Sequence, residues 1–416
     1  MLDVAPADDR LAAADPAVPG LREVLSPLPL VHRLAPGWRV AHARVAYLRY
    51  KPGTSLVAGL VLTDDDGATS FAQALALGPG ARAKLAKVEH AGRADHVGRG
   101  AVLDERRGLA LADATADRHL PGVRRVLGAA DAVVTPLVYK PARRWVARQD
   151  RAGGRELVKV HQPAGLPALD AATRALTGLP VVGVTRVRRR RGIVTTAWVP
   201  GTPLDRLHGP GSDALWARAG GVLAEVHRRP RVEGLARVDR AADLAAAVGA
   251  VRAVTPALAP GARAAAERVR GTLGGGEEPL AVVHGDFSAD QVVVRPDLAA
   301  AAGGDPAAGA EPHAAAQPEV TVVDLDRVGL DDPVADLASW YGALVASGAE
   351  AGDPERVLAP LLSGYGAAGG VVEPGRLHAH CAAAVLQRAT EPFRRHLPDW
   401  PARVAHLVAV AEELSA

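Results

Sequence analysis

The chain is 416 residues long, enough for two or three domains that each bury a core. Its composition, 48% hydrophobic and 23% charged, is typical of a folded, water-soluble protein, and its net charge of +3 is small for this length. The single cysteine, Cys381, excludes an internal disulfide and a cysteine-rich metal site.

The sequence contains no pattern typical of a membrane protein or a nucleic-acid-binding protein. The first residues lack a basic start followed by an apolar run, and no stretch of about 18 residues is apolar and uncharged enough to span a bilayer. Five of the six residues at 186–191 are arginine, but aromatic residues are not interleaved with them. We therefore expect a cytoplasmic protein with no membrane and no nucleic-acid partner.

The first forty residues are rich in Pro, Ala and Asp, which predicts a loosely ordered lead-in. Residues 44–76 then contain three strand-like apolar runs separated by turn sequences, and a charged helical stretch follows at 80–90. A second pair of strands ends near Leu120. These patterns predict a small β-sheet with one helix.

The same pattern recurs further along the chain. Residues 134–160 contain three strand-like runs, a helix is predicted over 166–177, and two more strands follow. Tyr-Lys-Pro stands at 50–52 and again at 139–141, and other short matches follow in the same order, first at the same offset and then at slightly smaller ones. Such drift is typical of a duplicated unit with small deletions, although chance similarity in a chain rich in Arg, Val and Gly is the alternative. We interpret residues 44–125 as a degenerate copy of the unit at 134–205.

From residue 213 onward the sequence predicts mostly helices, interrupted by two short β-type runs. Between these two runs, residues 297–319 are a low-complexity segment rich in Ala and Gly. We expect a flexible surface loop there.

Each β-type run leads into a polar motif. The segment AVVHGDFSADQVVV at 281–294 places Asp286 on a loop after a strand, with Gln291 five residues further on. The segment VTVVDLDRVGLDDPVADLASW at 320–340 contains a strand that ends in Asp324. Carboxylate and amide oxygens are suitable ligands for a hard cation such as Mg²⁺.

These two motifs resemble the catalytic and metal-binding motifs of aminoglycoside phosphotransferases, choline kinases and maltokinases. The resemblance implies a two-lobed, protein-kinase-like fold and the use of ATP and Mg²⁺. It implies that Asp286 is the catalytic base and that Gln291 and Asp324 bind the metal. Gln291 departs from the family pattern, which usually has Asn, whereas maltokinase-like members look similar in having Gln.

The resemblance extends to the unit at 134–205. Lys159, in its third strand, corresponds to the lysine that binds nucleotide phosphates, and Asp170 on the next helix corresponds to the acidic partner of that lysine. Residues 196–200 correspond to the hinge, where the backbone of Ala197 and Val199 faces adenine. The loop at 140–144 lacks the glycines of protein kinases and is either an exposed basic turn or a source of side-chain contacts to phosphate.

Other residues near the motifs receive lesser roles. His284 is expected to brace the catalytic loop, Asp336 to cap its helix and hold that loop, and Asp326 is a minor candidate for metal binding. The first unit has no lysine at the place of Lys159 and no second His-Gly-Asp motif, so we expect it to be a cap without ATP-binding activity.

We therefore predict an α+β protein with a two-lobed protein-kinase-like fold and an N-terminal cap that resembles a degenerate N-lobe. The predicted domains are 1–130 (cap), 131–205 (N-lobe) and 206–416 (helical C-lobe). The predicted function is the ATP- and Mg²⁺-dependent transfer of a phosphoryl group to a hydroxyl of a small molecule such as a sugar, an aminoglycoside-like compound or another metabolite. The alternative is a catalytically silent pseudokinase that binds a nucleotide or metabolite as a regulator.

Overall fold

The computed structural model of the protein describes residues 6–93, 98–209, 211–274, 280–295, 297 and 319–416. The predicted flexible loop at 297–319 therefore lies outside the described residues, except for its two end residues. In the described ranges, no helix is both long enough and apolar enough to cross a bilayer.

Residues 6–34 contain three short helices, so the prediction of a loosely ordered lead-in is wrong for the described part of that segment. The helices are α1 (Pro6–Ala14), α2 (Leu21–Leu25) and α3 (Pro27–Leu34). Leu21, Val24, Leu30 and Val31 are buried and belong to the core under the first sheet. Proline at the first position of α3 is compatible with a helix start, because its missing N–H has no intrahelical partner there.

The first sheet has five antiparallel strands in the order β1-β2-β3-β5-β4. Its elements are β1 (Val40–Lys51), β2 (Ser55–Asp64), β3 (Thr69–Leu77), α4 (Lys84–Arg93), β4 (Ala101–Asp104) and β5 (Leu109–Asp113). We call this sheet the cap sheet, and we call the sheet together with α1–α4 the cap.

The second sheet, which we call the N-lobe sheet, repeats this topology with the order β6-β7-β8-β10-β9. After α5 (Gly122–Leu127), its elements are β6 (Val133–Lys140), β7 (Arg144–Arg151), β8 (Gly154–His161), α6 (Leu166–Ala175), β9 (Val184–Arg188) and β10 (Ile193–Ala197). In both sheets three strands precede a helix in the chain. Two more strands follow the helix, and the second of these two pairs with the third strand.

The strand registers of the two sheets also correspond. Lys159 is paired with Val146 on β7 and with Val194 on β10. In the cap sheet, Leu75 is paired in the same way with Val57 and with a residue of β5. Leu75 therefore occupies the position in the cap sheet that Lys159 occupies in the N-lobe sheet.

The rest of the chain forms a lobe of helices with two small β-sheets. Its elements are β11 (Thr202–Pro203), α7 (Ser212–His227), α8 (Arg240–Val254), α9 (Ala259–Leu273), β12 (Ala281–Val283), β13 (Val292–Val294), β14 (Val320–Val322), β15 (Gly329–Asp331), α10 (Val334–Ser347), α11 (Pro354–Val357), α12 (Ala359–Ala367), α13 (Pro374–Arg388), α14 (Glu391–Arg394) and α15 (Trp400–Leu414). Strands β11, β13 and β14 form one sheet, and β12 pairs with β15.

This architecture confirms the predicted fold class, a two-lobed, protein-kinase-like α+β fold with an additional cap that resembles an N-lobe. Both predicted motifs follow short buried strands of the helical lobe, β12 and β14. Phe287 anchors the first motif in the core, where its ring lies 5.1 Å from that of Trp340. The fold thus places polar loops on a rigid apolar base.

Candidate active site

A cavity of about 620 Å³ lies between the N-lobe sheet and the helical lobe. This volume is within the range of about 300–1,000 Å³ that is usual for small-molecule sites. Apolar side chains of the N-lobe sheet, among them Val146, Leu157 and Val194, line one part, and charged and amide side chains line another. The cavity therefore has an apolar wall and a polar end.

Lys159 lies in the middle of β8 and is only 7% exposed. Its ammonium group pairs with Asp324 and donates to the Asp326 carboxylate over 3.2 Å. A buried ammonium group needs such compensation because the loss of hydration is costly. Lys159 thus brings one positive charge to the polar end of the cavity.

Asp324 also receives a second cation. The Arg144 guanidinium, at the start of β7, donates to Asp324 over 3.0 Å and to Asp326 over 3.3 Å. Burial opposes ionisation of Asp324, but Lys159 and Arg144 outweigh it and hold the pKa of this carboxyl well below its usual range. Asp324 is therefore ionised and has cations on both of its oxygens.

The backbone of Asp324 has an unusual conformation. Its φ of 66° and ψ of 64° lie in the left-handed region, which residues other than glycine seldom adopt. The residue follows β14, and a single 3₁₀ turn begins immediately after it. Strained backbone of this kind often occurs where a fold positions a functional side chain.

The loop that carries Asp286 is held by a buried carboxylate. Asp336, at the start of α10, accepts hydrogen bonds from the backbone N–H groups of His284 (2.6 Å) and Gly285 (2.8 Å), and it contacts His227 Nε2 (3.1 Å). Gly285 has a φ of 80°, and a Cβ atom there would collide with the carbonyl oxygen of Arg327. Glycine is thus required at this turn for both its conformation and its small size.

Asp286 lies beside the main cavity and lines a smaller one, which is also lined by Gly285, Ser339 and Arg388. Its Oδ1 accepts a hydrogen bond from Arg388 over 2.8 Å, and its side chain is 44% exposed. The Arg388 guanidinium also donates to the Ser339 hydroxyl over 3.0 Å. Arg388 was not identified from the sequence, because 102 residues separate it from Asp286.

Gln291 and Asp324 line the same cavity, and their backbones are linked. The carbonyl oxygen of Gln291 accepts from the N–H of Val323, the residue before Asp324, over 2.9 Å. The Gln291 amide nitrogen donates to Asp290 over 3.2 Å.

In the described ranges, no cluster of three or more His, Cys, Asp or Glu side chains could enclose a metal ion. The carboxylate and amide oxygens of this wall fit Mg²⁺, which usually takes only one or two protein carboxylates and completes its shell with phosphates and water.

Two further assignments have different outcomes. Ala197 and Val199 line the cavity at the end of β10, together with Trp198. Asp170, the predicted partner of Lys159, pairs with Arg189 instead. That pairing prediction is wrong, because Asp324 and Asp326 supply the carboxylates around Lys159.

One family model and several solved structures are similar to parts of this chain. Residues 122–301 match the model of a phosphotransferase enzyme family, named APH. The match covers the N-lobe sheet and the loop of Asp286 and Gln291. The resemblance to this family is therefore confirmed, and the match includes the first motif but ends before Asp324. No curated protein matches the sequence significantly.

Several solved structures are similar at low sequence identity. A choline/ethanolamine kinase family protein from Mesorhizobium loti is 20% identical, with 69% of this chain and 90% of that chain covered and a TM-score of 0.47. An aminoglycoside phosphotransferase from Streptomyces rimosus is also 20% identical, with coverages of 66% and 98% and a TM-score of 0.45. Choline kinase from Cryptosporidium parvum is 10% identical, with coverages of 72% and 94% and a TM-score of 0.48.

Proposed function

We propose that the protein transfers the γ-phosphoryl group of ATP to a hydroxyl of a small molecule, with Mg²⁺ as the cofactor. The observation that carries this proposal is the polar end of the 620 Å³ cavity, where Lys159, Arg144, Asp324 and Gln291 meet. Phosphoryl transfer depends mainly on positioning and on neutralising the charge of the phosphates. Two cations and a pair of oxygen ligands at one end of a cavity supply both requirements.

The two ends of the cavity suit the two ends of a nucleotide. The apolar wall and the backbone of Ala197 and Val199 would receive adenine, and Lys159 and Arg144 would bind the phosphates. Gln291 and Asp324 would hold Mg²⁺, which supplies charge neutralisation at the phosphate oxygens. The loop at 140–144 contains no glycine, so we do not expect its backbone to contact phosphate as a glycine-rich loop does. The side chain of Arg144, which begins β7 at the end of this loop, would make the phosphate contact instead.

Asp286 would orient the acceptor hydroxyl and take its proton. Its carboxylate is partly exposed, and its loop is fixed by Asp336. Arg388 holds one oxygen of Asp286, which leaves the other oxygen for the acceptor. The reacting hydroxyl of the acceptor would enter the smaller cavity, which has a volume of about 70 Å³ and a polar lining that includes Arg240, Asp331 and Arg388. That lining favours a hydroxylated, polar substrate.

The decisive experiment is an acceptor screen read by ADP release, with the wild type and the Asp286→Asn variant. We expect Asp286→Asn to lower kcat by at least about a hundredfold, because general-base catalysis contributes about 10²–10⁴-fold. Nucleotide affinity should stay nearly unchanged. Asp213→Asn, a change of the same kind at an exposed position of α7 outside both cavities, is the matched control. Normal turnover by Asp286→Asn would rule out the assigned base.

The second candidate function is a pseudokinase that binds a nucleotide without transferring phosphate. The observation that favours it is that cations already compensate the acidic groups: Lys159 and Arg144 contact Asp324, and Arg388 contacts Asp286. The same screen separates the two functions. Mg²⁺-dependent ATP binding without ADP release for any acceptor would support the pseudokinase.

A further inference from the structure

A second cavity, of about 210 Å³, lies on the cap sheet. Strands β1, β2 and β3, the start of α4 and residues 116–119 contribute to its lining. It is smaller than the usual range for drug-sized ligands, about 300–1,000 Å³. Its size therefore suits a small molecule better than a nucleotide.

This cavity lies on the face of the cap sheet that corresponds to the nucleotide face of the N-lobe sheet. Val57, Gln73 and Leu75 line it. The strand registers match these residues to Val146, Leu157 and Lys159, which line the 620 Å³ cavity. The cap sheet and the N-lobe sheet thus have cavities in corresponding places, but Leu75 stands in the cap sheet where Lys159 stands in the N-lobe sheet.

The cap cavity nevertheless has a strongly basic lining. Arg49 and Lys51 reach it from β1, Lys84 from α4, and Arg118 and His119 from the segment after β5. Among the described residues, no carboxylate forms an ion pair with any of the four Arg and Lys side chains. Burial, together with Arg118 and Arg49, lowers the pKa of His119. The charged side chains of the lining are thus four cations and one carboxylate, which leaves a net positive charge.

The lining also contains one carboxylate, Asp117, which forms no ion pair with any of these four side chains. It is 3% exposed, and its oxygens accept hydrogen bonds from the Tyr139 hydroxyl (3.0 Å), the Ala142 N–H (2.7 Å) and the His119 N–H (3.0 Å). Its hydrogen-bonding capacity is therefore used within the protein. The floor of the cavity is apolar, with Val57, Leu75 and Val88.

We propose that the cap cavity is a second ligand site, which binds a small phosphate monoester. Arg49, Lys51, Lys84 and Arg118 contact the phosphate, and the apolar floor contacts the carbon part of the ligand. Arginine and lysine are the side chains that best recognise phosphate. Free inorganic phosphate shares this chemistry. The proposal is independent of phosphoryl transfer at the other cavity.

The test measures binding to the full-length protein by calorimetry, with glycerol 3-phosphate, inorganic phosphate and glycerol as probes. We expect both phosphates to bind and glycerol not to bind. If glycerol 3-phosphate binds more tightly than inorganic phosphate, the apolar floor contributes to binding. If the two bind equally, inorganic phosphate is a sufficient ligand of the same site. Absence of binding by both phosphates would overturn the proposal.

Variants locate the site. The double variant Arg49→Gln/Arg118→Gln should weaken phosphate binding at least about tenfold, because it removes two charged hydrogen-bond donors. The matched control, Arg44→Gln/Arg125→Gln, removes two exposed arginines outside the cavity and should retain affinity. Retained binding in Arg49→Gln/Arg118→Gln, or equal losses in the control pair, would show that the phosphate binds elsewhere. Thermal melting of each variant verifies that it is folded.

Discussion

Asp324 and Asp326 form a cluster with Lys159 and Arg144 in which two carboxylates face two cations. A buried cluster of this kind is stable only when all members are present, since removal of one partner leaves an uncompensated charge. If a nucleotide binds as proposed, its phosphates would contact Lys159 and Arg144, and Mg²⁺ would contact Asp324. The same residues thus stabilise the free protein and would bind the ligand.

The Asp336 carboxylate makes the stability of the protein depend on pH. Burial alone would raise its pKa, but hydrogen bonds from His227 and from the backbone of His284 hold the pKa below its usual value. A carboxyl group with a depressed folded pKa stabilises the fold above its unfolded pKa, about 3.9, and this contribution is lost as the pH falls through the folded pKa.

We therefore expect the free energy of unfolding of the wild type to fall more steeply than that of Asp336→Asn between about pH 5 and pH 3. Urea denaturation at several pH values measures both slopes. Glu350→Gln, an exposed position, is the control and should follow the wild type. Parallel curves for the wild type and Asp336→Asn would contradict this role of Asp336.

At the residue scale, the sequence predicted which side chains gather at the cavity better than it predicted their pairs. Lys159, Gln291 and Asp324 line one cavity, and each lies in or close to a β-strand, a pattern visible in the sequence. The same pattern does not indicate which carboxylate pairs with Lys159. Asp170 was chosen by analogy with the family, whereas the actual contact depends on the left-handed turn at Asp324.

At the level of elements, the duplicated unit was well predicted, since turn sequences and alternating apolar residues mark its strands. The helices α1–α3 were missed because each has at most nine residues, too few for a clear helical period among the prolines and aspartates. Their stability comes from packing on the cap sheet, and isolated helices of this length are marginal in water.

The packing of α3 has a measurable consequence. Leu30 is 2% exposed in the core of the cap, so Leu30→Ala should destabilise the protein by about 2–5 kcal/mol. Chemical denaturation monitored by circular dichroism measures this change. Val371, which is 84% exposed, provides the control, and Val371→Ala should change stability by less than about 0.5 kcal/mol. A small effect of Leu30→Ala would mean that the lead-in is loosely ordered after all.

For the whole molecule, the main result is that the cap contacts both lobes. Trp400 and Val404 of α15 belong to the core of the cap. The indole N–H of Trp400 donates to Asp8 of α1 over 3.1 Å, and its ring lies 5.1 Å from that of Phe393. Asp117, between the two sheets, binds the backbone of Ala142. Sequence patterns could not predict these contacts because they join distant segments.

Because of these contacts, the cap and the helical lobe should lose stability together. We expect Trp400→Ala to cost about 3–5 kcal/mol and to lower hydrogen-exchange protection in both β1–β3 and α15. Trp400→Phe, which keeps a ring but loses the hydrogen bond to Asp8, should show a smaller loss in the same two regions. Loss of protection in α15 alone would indicate that the cap unfolds independently.

The bond from Asp117 to Ala142 fixes the tip of the loop between β6 and β7. Because this hydrogen bond holds the tip of the β6–β7 hairpin, the hairpin cannot open by itself. Residues 140–144 also contain no glycine that would make the hairpin flexible. We therefore expect a nucleotide to enter and leave through rotation of the whole N-lobe sheet about residues 197–199. The speed of product release would then depend on how firmly the cap restrains that rotation.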